Sequence, residues 1–233
     1  MSTFLQLTQD AGRESRTLDS GQPAAVTSQT GRNLWFVKWT AQSWVDIQNM
    51  HSAWRWMQGT FSGNTTAGTK KYTAASFGVT DFRDWLRDDL VTGYRPHTAY
   101  LTATGVSDEG ALRQIDWQTY RTRYERGTQT SSRPSVYAIS PAGEFCLNPP
   151  DDDYTIQGEY RKSATVLEAD GDIPAMPADF HQLIVWGAVL LSAESDETPR
   201  DRIIYARQQY DKIMGALELD QLPKITIGGG FLA

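Results

Sequence analysis

Cysteine and histidine are scarce in this chain of 233 residues, which has one cysteine and three histidines. The single cysteine, Cys146, excludes an intrachain disulfide, and nothing around it suggests a thiolate metal site. The histidines, His51, His97 and His181, fall in different segments without the spacing of metal ligands. We therefore expect no metal site and no cofactor site.

Basic clusters and long apolar runs are also missing. The formal net charge is −6, and no stretch concentrates lysine and arginine, which argues against a surface that grips nucleic acid. The longest apolar stretch, Leu183 to Leu191, is too short to span a bilayer. The first residues lack the basic flank and apolar run of a secretion signal. These absences predict a soluble protein made in a reducing compartment.

Signatures of catalysis are missing as well. The sequence has no Gly-x-Ser-x-Gly, no phosphate-binding Gly-Lys-Ser and no His-Glu-x-x-His. The run Asp151-Asp152-Asp153 lacks the alternating ligands and central glycine of a calcium loop, so we interpret it as a solvated turn. Cys146 stands between two apolar residues and is interpreted as a buried structural thiol. We expect no catalytic residue and no enzymatic activity.

Tryptophan, in contrast, is abundant and clustered. Five of the eight tryptophans lie between Trp35 and Trp56. Apolar residues in this segment recur at offsets of three and four, which predicts one long helix over residues 31–57 that ends near Gln58-Gly59. Each tryptophan ring can bury roughly 150–250 Å². Such a helix must be covered on more than one side, either within its own domain or by neighbouring subunits.

Three further segments have a helical pattern, and they predict helices at residues 2–15, 178–195 and 199–218. In the last of them, Thr198 is expected to cap the first amides and Pro199 to occupy the first helical position. Pro223 ends this helix.

Between Thr60 and Leu167 the apolar period shortens to two, which is typical of strands. The predicted strands are 72–77, 97–102, 135–139, 144–147 and 154–161. Residues 81–91 are ambiguous between helix and strand, and residues 115–126 are predicted to form one helix. The order of helices, strands and helices predicts an α+β fold. Residues 1–58 and 175–222 would form a helical bundle, and residues 59–174 an inserted β-rich domain.

The remaining residues, 223–233, are predicted to be a C-terminal arm. It contains a strand-like segment, three consecutive glycines and an apolar tip. We expect the exposed apolar residues of such an arm to pack against a partner protein. The candidate partner-contact residues are Ile225, Ile227, Phe231 and Leu232.

Nine short motifs follow one another along the chain. The motifs are Thr30-Gly31-Arg32, Trp39, Trp44, Ile47-Gln48, Trp54-Arg55, Arg133-Pro134-x2-Tyr137, Leu147-Asn148-Pro149-Pro150-x3-Tyr154-x5-Tyr160, Asp172-Ile173-Pro174-x2-Pro177 and Phe180-His181. As an ordered set they resemble the head-to-tail adaptor proteins of tailed bacteriophages, over residues 2–217. The glycine-rich loop at 59–69 and the tail after Pro223 depart from the family pattern.

The resemblance implies a non-enzymatic structural protein of the virion neck, assembled in the host cytoplasm. It implies a homo-oligomeric ring, usually a dodecamer, docked under the portal protein and joined to a downstream tail or nozzle protein. DNA would pass the lumen without specific binding, and no membrane would be involved. Two alternatives remain open: a carbohydrate-binding tail component with exposed aromatics on the β region, and a small hydrolase with an acid–base pair in a cleft.

Overall fold

The computed structural model describes residues 1–17, 21–193 and 198–223. Five α-helices and two β-sheets lie in these ranges, which confirms the predicted α+β class. The chain divides into two compact units: Met1–Met57 with Ala164–Ala233, and Gln58–Ser163. We call them the helical unit and the β unit. The candidate arm residues Ile225, Ile227, Phe231 and Leu232 lie outside the described residues.

The helical unit is built around one apolar helix. Its helices are α1 (Phe4–Ser15), α2 (Gly31–Met50), α4 (Gln182–Ser192) and α5 (Arg200–Gln221). Every residue of α4 from Leu183 to Val189 is buried, and α4 contacts α1, α2 and α5. A helix that is apolar on all sides must be surrounded in this way. The predicted packing of the terminal helices is therefore present, with α4 at its centre.

The end of α2 differs from the prediction. The helix ends at Met50 rather than near Gln58, and a 3-10 turn, Arg55–Met57, follows before the first strand. The chain folds back, and the indole Nε1 of Trp54 donates a hydrogen bond of 2.9 Å to the carbonyl of Ile47. This bond satisfies one of the carbonyls that a helix leaves free in its last turn. Trp54 thus stays on the apolar side of α2 without being part of the helix.

Most of the tryptophan surface is covered inside the helical unit itself. Trp44 and Trp54 are completely buried, and Trp56 stacks on Trp54 with ring centroids 4.6 Å apart. Trp35 is the exception, because it is 53% exposed. The core of the helical unit therefore buries the tryptophan rings of this segment, except near the start of α2.

Residues 164–174 lie with the helical unit, although the sequence analysis groups them with the inserted region. The buried amide of Gln48 holds this segment. Its Nε2 donates to the carbonyl of Thr165 at 2.9 Å, and its Oε1 accepts from the Thr165 backbone N–H at 2.9 Å. The indole of Trp44 also donates to the Thr165 hydroxyl at 3.3 Å.

The start of α5 also differs from the prediction. Its N-cap is Pro199, which offers no side-chain cap, and the first helical residue is Arg200. The hydroxyl of Thr198 instead forms a buried hydrogen bond of 2.9 Å with the hydroxyl of Ser192. Thr198 therefore ties the ends of α4 and α5 together rather than capping free amides.

The β unit contains two sheets. The strands are β1 (Gln58–Asn64), β2 (Lys71–Tyr72), β3 (Phe82–Trp85), β4 (Thr98–Leu101), β5 (Gly110–Ala111), β6 (Arg113–Gln114), β7 (Val136–Ile139), β8 (Phe145–Leu147) and β9 (Tyr154–Lys162). The first sheet has the order β1-β9-β4-β5, with β3 also paired to β9; the second has the order β2-β8-β7-β6. All pairs are antiparallel except β6 with β7.

One aromatic core is shared by the two sheets. Phe61 of β1 contacts Phe145 of β8, with ring centroids 6.3 Å apart, and Trp85 of β3 lies 5.3 Å from Phe145. Tyr137 of β7 stacks on Phe145 at 5.0 Å. Edge-to-face and offset ring pairs of this kind add stability beyond the burial of area.

Four of the predicted strands are confirmed as β4, β7, β8 and β9. The predicted strand at 72–77 is wrong: only Lys71–Tyr72 pairs, and a 3-10 turn, Ala74–Phe77, follows. Thr73 and Ser76 form a reciprocal capping box there, which favours the turn. The ambiguous segment contains strand β3, and the helix predicted at 115–126 is α3 (Trp117–Tyr120) continued by a π-helical turn, Arg121–Glu125.

Candidate interaction surfaces

The three histidines lie in separate environments. His51 is paired with Glu218 at 2.8 Å, between the end of α2 and α5. His181 accepts from the backbone N–H of Ser2 at 3.2 Å and lies 3.2 Å from the Met176 carbonyl. His97 belongs to the β unit. No group of three metal-ligating side chains occurs in residues 1–17, 21–193 or 198–223.

His97 is enclosed by aromatic rings of the β unit. It lies 4.7 Å from the Tyr137 ring and 4.9 Å from the Phe145 ring, and its Nε2 is 2.8 Å from the Leu86 carbonyl. Burial lowers the pKa of His97 to about 4, although the hydrogen bond to Leu86 and the charge of Asp88 oppose this. The ring is therefore neutral at pH 7 and forms part of the core.

The run of three aspartates stabilises a turn, as the sequence analysis expects. Asp151 accepts from the Tyr154 hydroxyl at 2.9 Å, and Asp153 accepts from the backbone N–H of Ala67 at 3.1 Å. The Asp152 carboxylate accepts from the Asp153 backbone N–H at 2.7 Å. These carboxylates hold the start of β9 and the neighbouring loop rather than converging on one point.

Cys146 is completely buried in β8. Burial is the main cause that raises the pKa of its thiol to about 12, and the nearby charge of Lys71 opposes this. A thiol at this pKa carries almost no thiolate at neutral pH, so it is a poor nucleophile.

Residues that carry the family resemblance hold the loops of the β unit in place. The Asn148 Oδ1 accepts from the backbone N–H of Ser135 at 2.9 Å, and its Nδ2 donates to the carbonyl of Arg133 at 2.9 Å. Arg133 pairs with Asp108 at 2.7 Å. The motif residues Arg133 and Asn148 thus shape the backbone instead of forming a reactive centre.

The aromatic residues of the β unit mostly lie inside it. Those that are buried are Phe61, Tyr72, Phe77, Trp85, Tyr120, Tyr137, Phe145, Tyr154 and Tyr160. A sugar-binding platform needs several exposed aromatic faces, and these rings do not provide them. The larger share of the aromatic rings in this unit is therefore inaccessible to a sugar, which weakens the case for the carbohydrate-binding alternative.

The first exposed apolar surface lies near the start of α2. Trp35 stacks on Trp39 with centroids 6.0 Å apart, and the ammonium of Lys38 lies 5.2 Å from the centre of the Trp35 ring. Tryptophan is enriched among the residues that carry most of the binding energy at protein interfaces. We call Trp35, Lys38 and Trp39 the tryptophan face.

The second exposed apolar surface is the tip of the loop between β3 and β4. Leu90 and Val91 are 94% and 95% exposed. Asp89 fixes this turn: its carboxylate accepts from the Val91 backbone N–H at 2.9 Å and from the Thr92 hydroxyl at 2.6 Å. We call Leu90 and Val91 the loop tip.

Hydrogen bonds also hold the base of the same loop in place. The Asp88 carboxylate accepts from the Tyr137 hydroxyl at 2.9 Å and from the Gln114 backbone N–H at 2.9 Å. The hydroxyl of Tyr94 donates to Glu159. The loop tip is therefore presented in a fixed conformation, which lowers the entropy lost when a partner binds it.

A third surface is an open groove of about 230 Å³ in the helical unit. It is lined by Ser43, Asp46, Met50, Gly187, Leu190, Leu191, Arg207 and Tyr210. These residues belong to α2, α4 and α5, and we call the feature the three-helix groove.

Comparison with protein families gives a match over most of the chain. The family described as SU10 adaptor protein matches residues 2–226, which is nearly the whole chain. A search of curated proteins finds no match. Among the residues that the structure describes, no helix is both long and apolar enough to cross a membrane.

Proposed function

Because this chain belongs to the SU10 adaptor protein family, and is thus a structural adaptor of a bacteriophage virion, we propose that it forms a ring in the neck of the particle. The ring, a dodecamer by family likeness, docks under the portal protein and connects it to a downstream tail or nozzle protein. We also propose that the helical unit and the β unit act as separate domains, with the C-terminal arm as a contact element.

The observation that carries this proposal is the family match over residues 2–226. The exposed apolar surfaces support lateral contacts between copies. The tryptophan face and the loop tip leave large apolar side chains in water, and surfaces of this kind mark sites of protein association. A stable interface buries roughly 1,200–2,000 Å² in total. Each copy in a ring has two neighbours, so it needs such surfaces on more than one side.

Passage of DNA through the lumen is compatible with the charge of the chain. Affinity for DNA comes mainly from lysine and arginine that neutralise phosphates. The formal net charge is −6, and the sequence has no basic cluster. A lumen made from such chains repels the phosphate backbone weakly and does not hold it.

We assign the protein a structural role without a catalytic step. Of the residue types that start hydrolysis, the cysteine is a buried thiol and His97 is a neutral core residue. The carboxylates Asp88 and Asp89 accept hydrogen bonds within their own loop and the adjacent sheet. The family match, which describes an adaptor, points the same way.

The test is to measure the mass of the purified protein, alone and with portal rings, and to image the complexes by electron microscopy. We expect a closed ring of identical copies stacked on the portal. Chains that remain monomeric both alone and with portal would refute the proposal. Binding to a glycan array without ring formation would instead support the carbohydrate-binding alternative.

A further inference from the structure

The three-helix groove is an apolar depression without an occupant among the described residues. Gly187, Leu190 and Leu191 of α4 are among the residues that line it. A groove of about 230 Å³ is large enough to hold several water molecules. Releasing such water from an apolar surface favours the binding of an apolar side chain.

The walls of the groove suit an aromatic ring. Met50 of α2 is 51% exposed, and the Tyr210 hydroxyl donates to its sulfur at 3.7 Å. Methionine sulfur and aromatic rings attract each other, and two aromatic rings pack well edge-to-face. The polar rim carries one acid, Asp46, and one base, Arg207, so the groove favours an uncharged ligand.

The chain itself contains a segment with this chemistry. Residues 225–233 carry no charged side chain, and Phe231 and Leu232 follow three consecutive glycines. Phe231 is nine residues beyond Leu222, which follows the last residue of α5. Nine extended residues span at most about 30 Å. That length lets Phe231 reach a groove up to about 30 Å from the end of α5.

We propose that the three-helix groove receives residues 225–233 of a neighbouring copy, with Phe231 as the aromatic anchor. This inference rests on the proposed ring, in which every copy offers the same groove to the next. A contact between an arm and a different surface is heterologous, and heterologous contacts form a ring when the rotation from copy to copy closes. The arm therefore contributes to lateral cohesion, and both partners are segments of this chain.

A disulfide test distinguishes a neighbouring copy from the same copy. The double variant Leu191→Cys with Leu232→Cys places one thiol at the groove and one on the arm, and it keeps Phe231 as the anchor. The native Cys146 does not interfere, because it is completely buried and burial raises the pKa of its thiol to about 12. On mild oxidation of assembled rings, we expect a ladder of covalently linked chains on a non-reducing gel.

Rings that form normally but give no ladder would overturn the inference and leave the proposed ring intact. A cross-link within single chains would also overturn it, since the arm would then occupy its own groove. If no rings form even with the native sequence, the proposed function fails, and this inference fails with it. The matched control is Val166→Cys with Leu232→Cys, since Val166 is exposed in the same unit but does not line the groove. We expect no ladder from the control.

A second measurement does not depend on cysteine. The variant Phe231→Ala removes the anchor without touching the described core, and we expect the association constant between copies to fall about ten- to a hundredfold. The variant Met50→Ala removes one wall and should lower the same constant by a smaller factor. An association constant unchanged by Phe231→Ala would contradict the proposal.

Discussion

Gly187 of α4 lies so close to Ser43 of α2 that a Cβ on the glycine would be only 2.1 Å from the Ser43 Oγ. That hydroxyl donates to the carbonyl of Ile184 at 3.0 Å, so it is held at the helix crossing. We expect Gly187→Ala to destabilise the helical unit by roughly 1–3 kcal/mol, because overpacking outweighs the better helix propensity of alanine. Urea unfolding followed by circular dichroism measures this change.

Gly215 of α5 provides the control for that variant. A Cβ on Gly215 would meet no atom within 4 Å. Gly215→Ala should therefore stabilise the protein by about 0.5–1 kcal/mol, the propensity difference alone. If both variants change the free energy of unfolding by the same amount, the close approach of α4 and α2 is not a tight contact.

Gln48→Ala is expected to cost about 2–4 kcal/mol of folding stability. The substitution leaves the buried backbone groups of Thr165 without their side-chain partner, and each unsatisfied buried group costs roughly 1–3 kcal/mol. Gln42→Ala on the same helix is the matched control, since Gln42 is exposed and bonds only the exposed Asp46. Thermal unfolding of both variants checks the prediction. Equal losses of folding stability would show that the hydrogen bonds from Gln48 to Thr165 contribute no more than those of an exposed glutamine.

Acid should destabilise the β unit through His97. Its pKa is about 4 in the folded chain and about 6.5 when unfolded. The unfolded state therefore binds the proton first, so stability is complete above pH 6.5 and falls as the pH drops towards 4. The loss from this group is on the order of 3 kcal/mol at pH 4 and below.

The variant His97→Gln isolates this contribution. Glutamine can still donate to the Leu86 carbonyl, but it does not titrate. We expect the variant to be less stable at pH 7 and to lose less stability between pH 6.5 and 4. His181, whose pKa burial also lowers, remains in both proteins and cancels in the comparison. Parallel pH profiles for the native chain and the variant would argue against the role of His97.

The loop tip should affect assembly and not folding. Leu90→Ser with Val91→Ser removes side chains that are 94% and 95% exposed, so the free energy of unfolding should change by less than about 0.5 kcal/mol. We expect weaker association between copies or with the portal, measured by sedimentation velocity. Leu219→Ser, at an α5 residue that is 82% exposed, is the control. If both variants assemble like the native chain, the loop tip is not an interface.

Local patterns predict much of this fold. Strict alternation from Tyr154 to Arg161 predicts β9, and apolar spacing predicts α1, α4 and α5. The ordered motifs are also enough to indicate the family. In the structure, motif residues such as Asn148 form hydrogen bonds that hold loops in place. Periodicity and turn chemistry are local properties, so a single sequence is enough to reveal them.

The errors come from contacts that are distant in sequence or from competing local bonds. The end of α2 is missed because Trp54 continues the helical spacing, and only its hydrogen bond to Ile47 shows that the chain has folded back. Thr198 fails as a cap because Ser192 takes its hydroxyl. The loop tip and the three-helix groove are also invisible in the sequence, since the exposure of Leu90 or Met50 depends on what the rest of the unit covers.

The β unit begins on strand β1 and ends just after strand β9, and these two strands are paired. Gln58, its first residue, is paired across the sheet with Arg161, two residues before its last. Paired residues of antiparallel strands have Cα atoms only about 4.5–5.5 Å apart. The insertion therefore begins and ends at almost the same point, and a short linker from Met57 to Ala164 could replace it. Such a linker would leave the core of the helical unit intact, because that core consists only of residues of this unit.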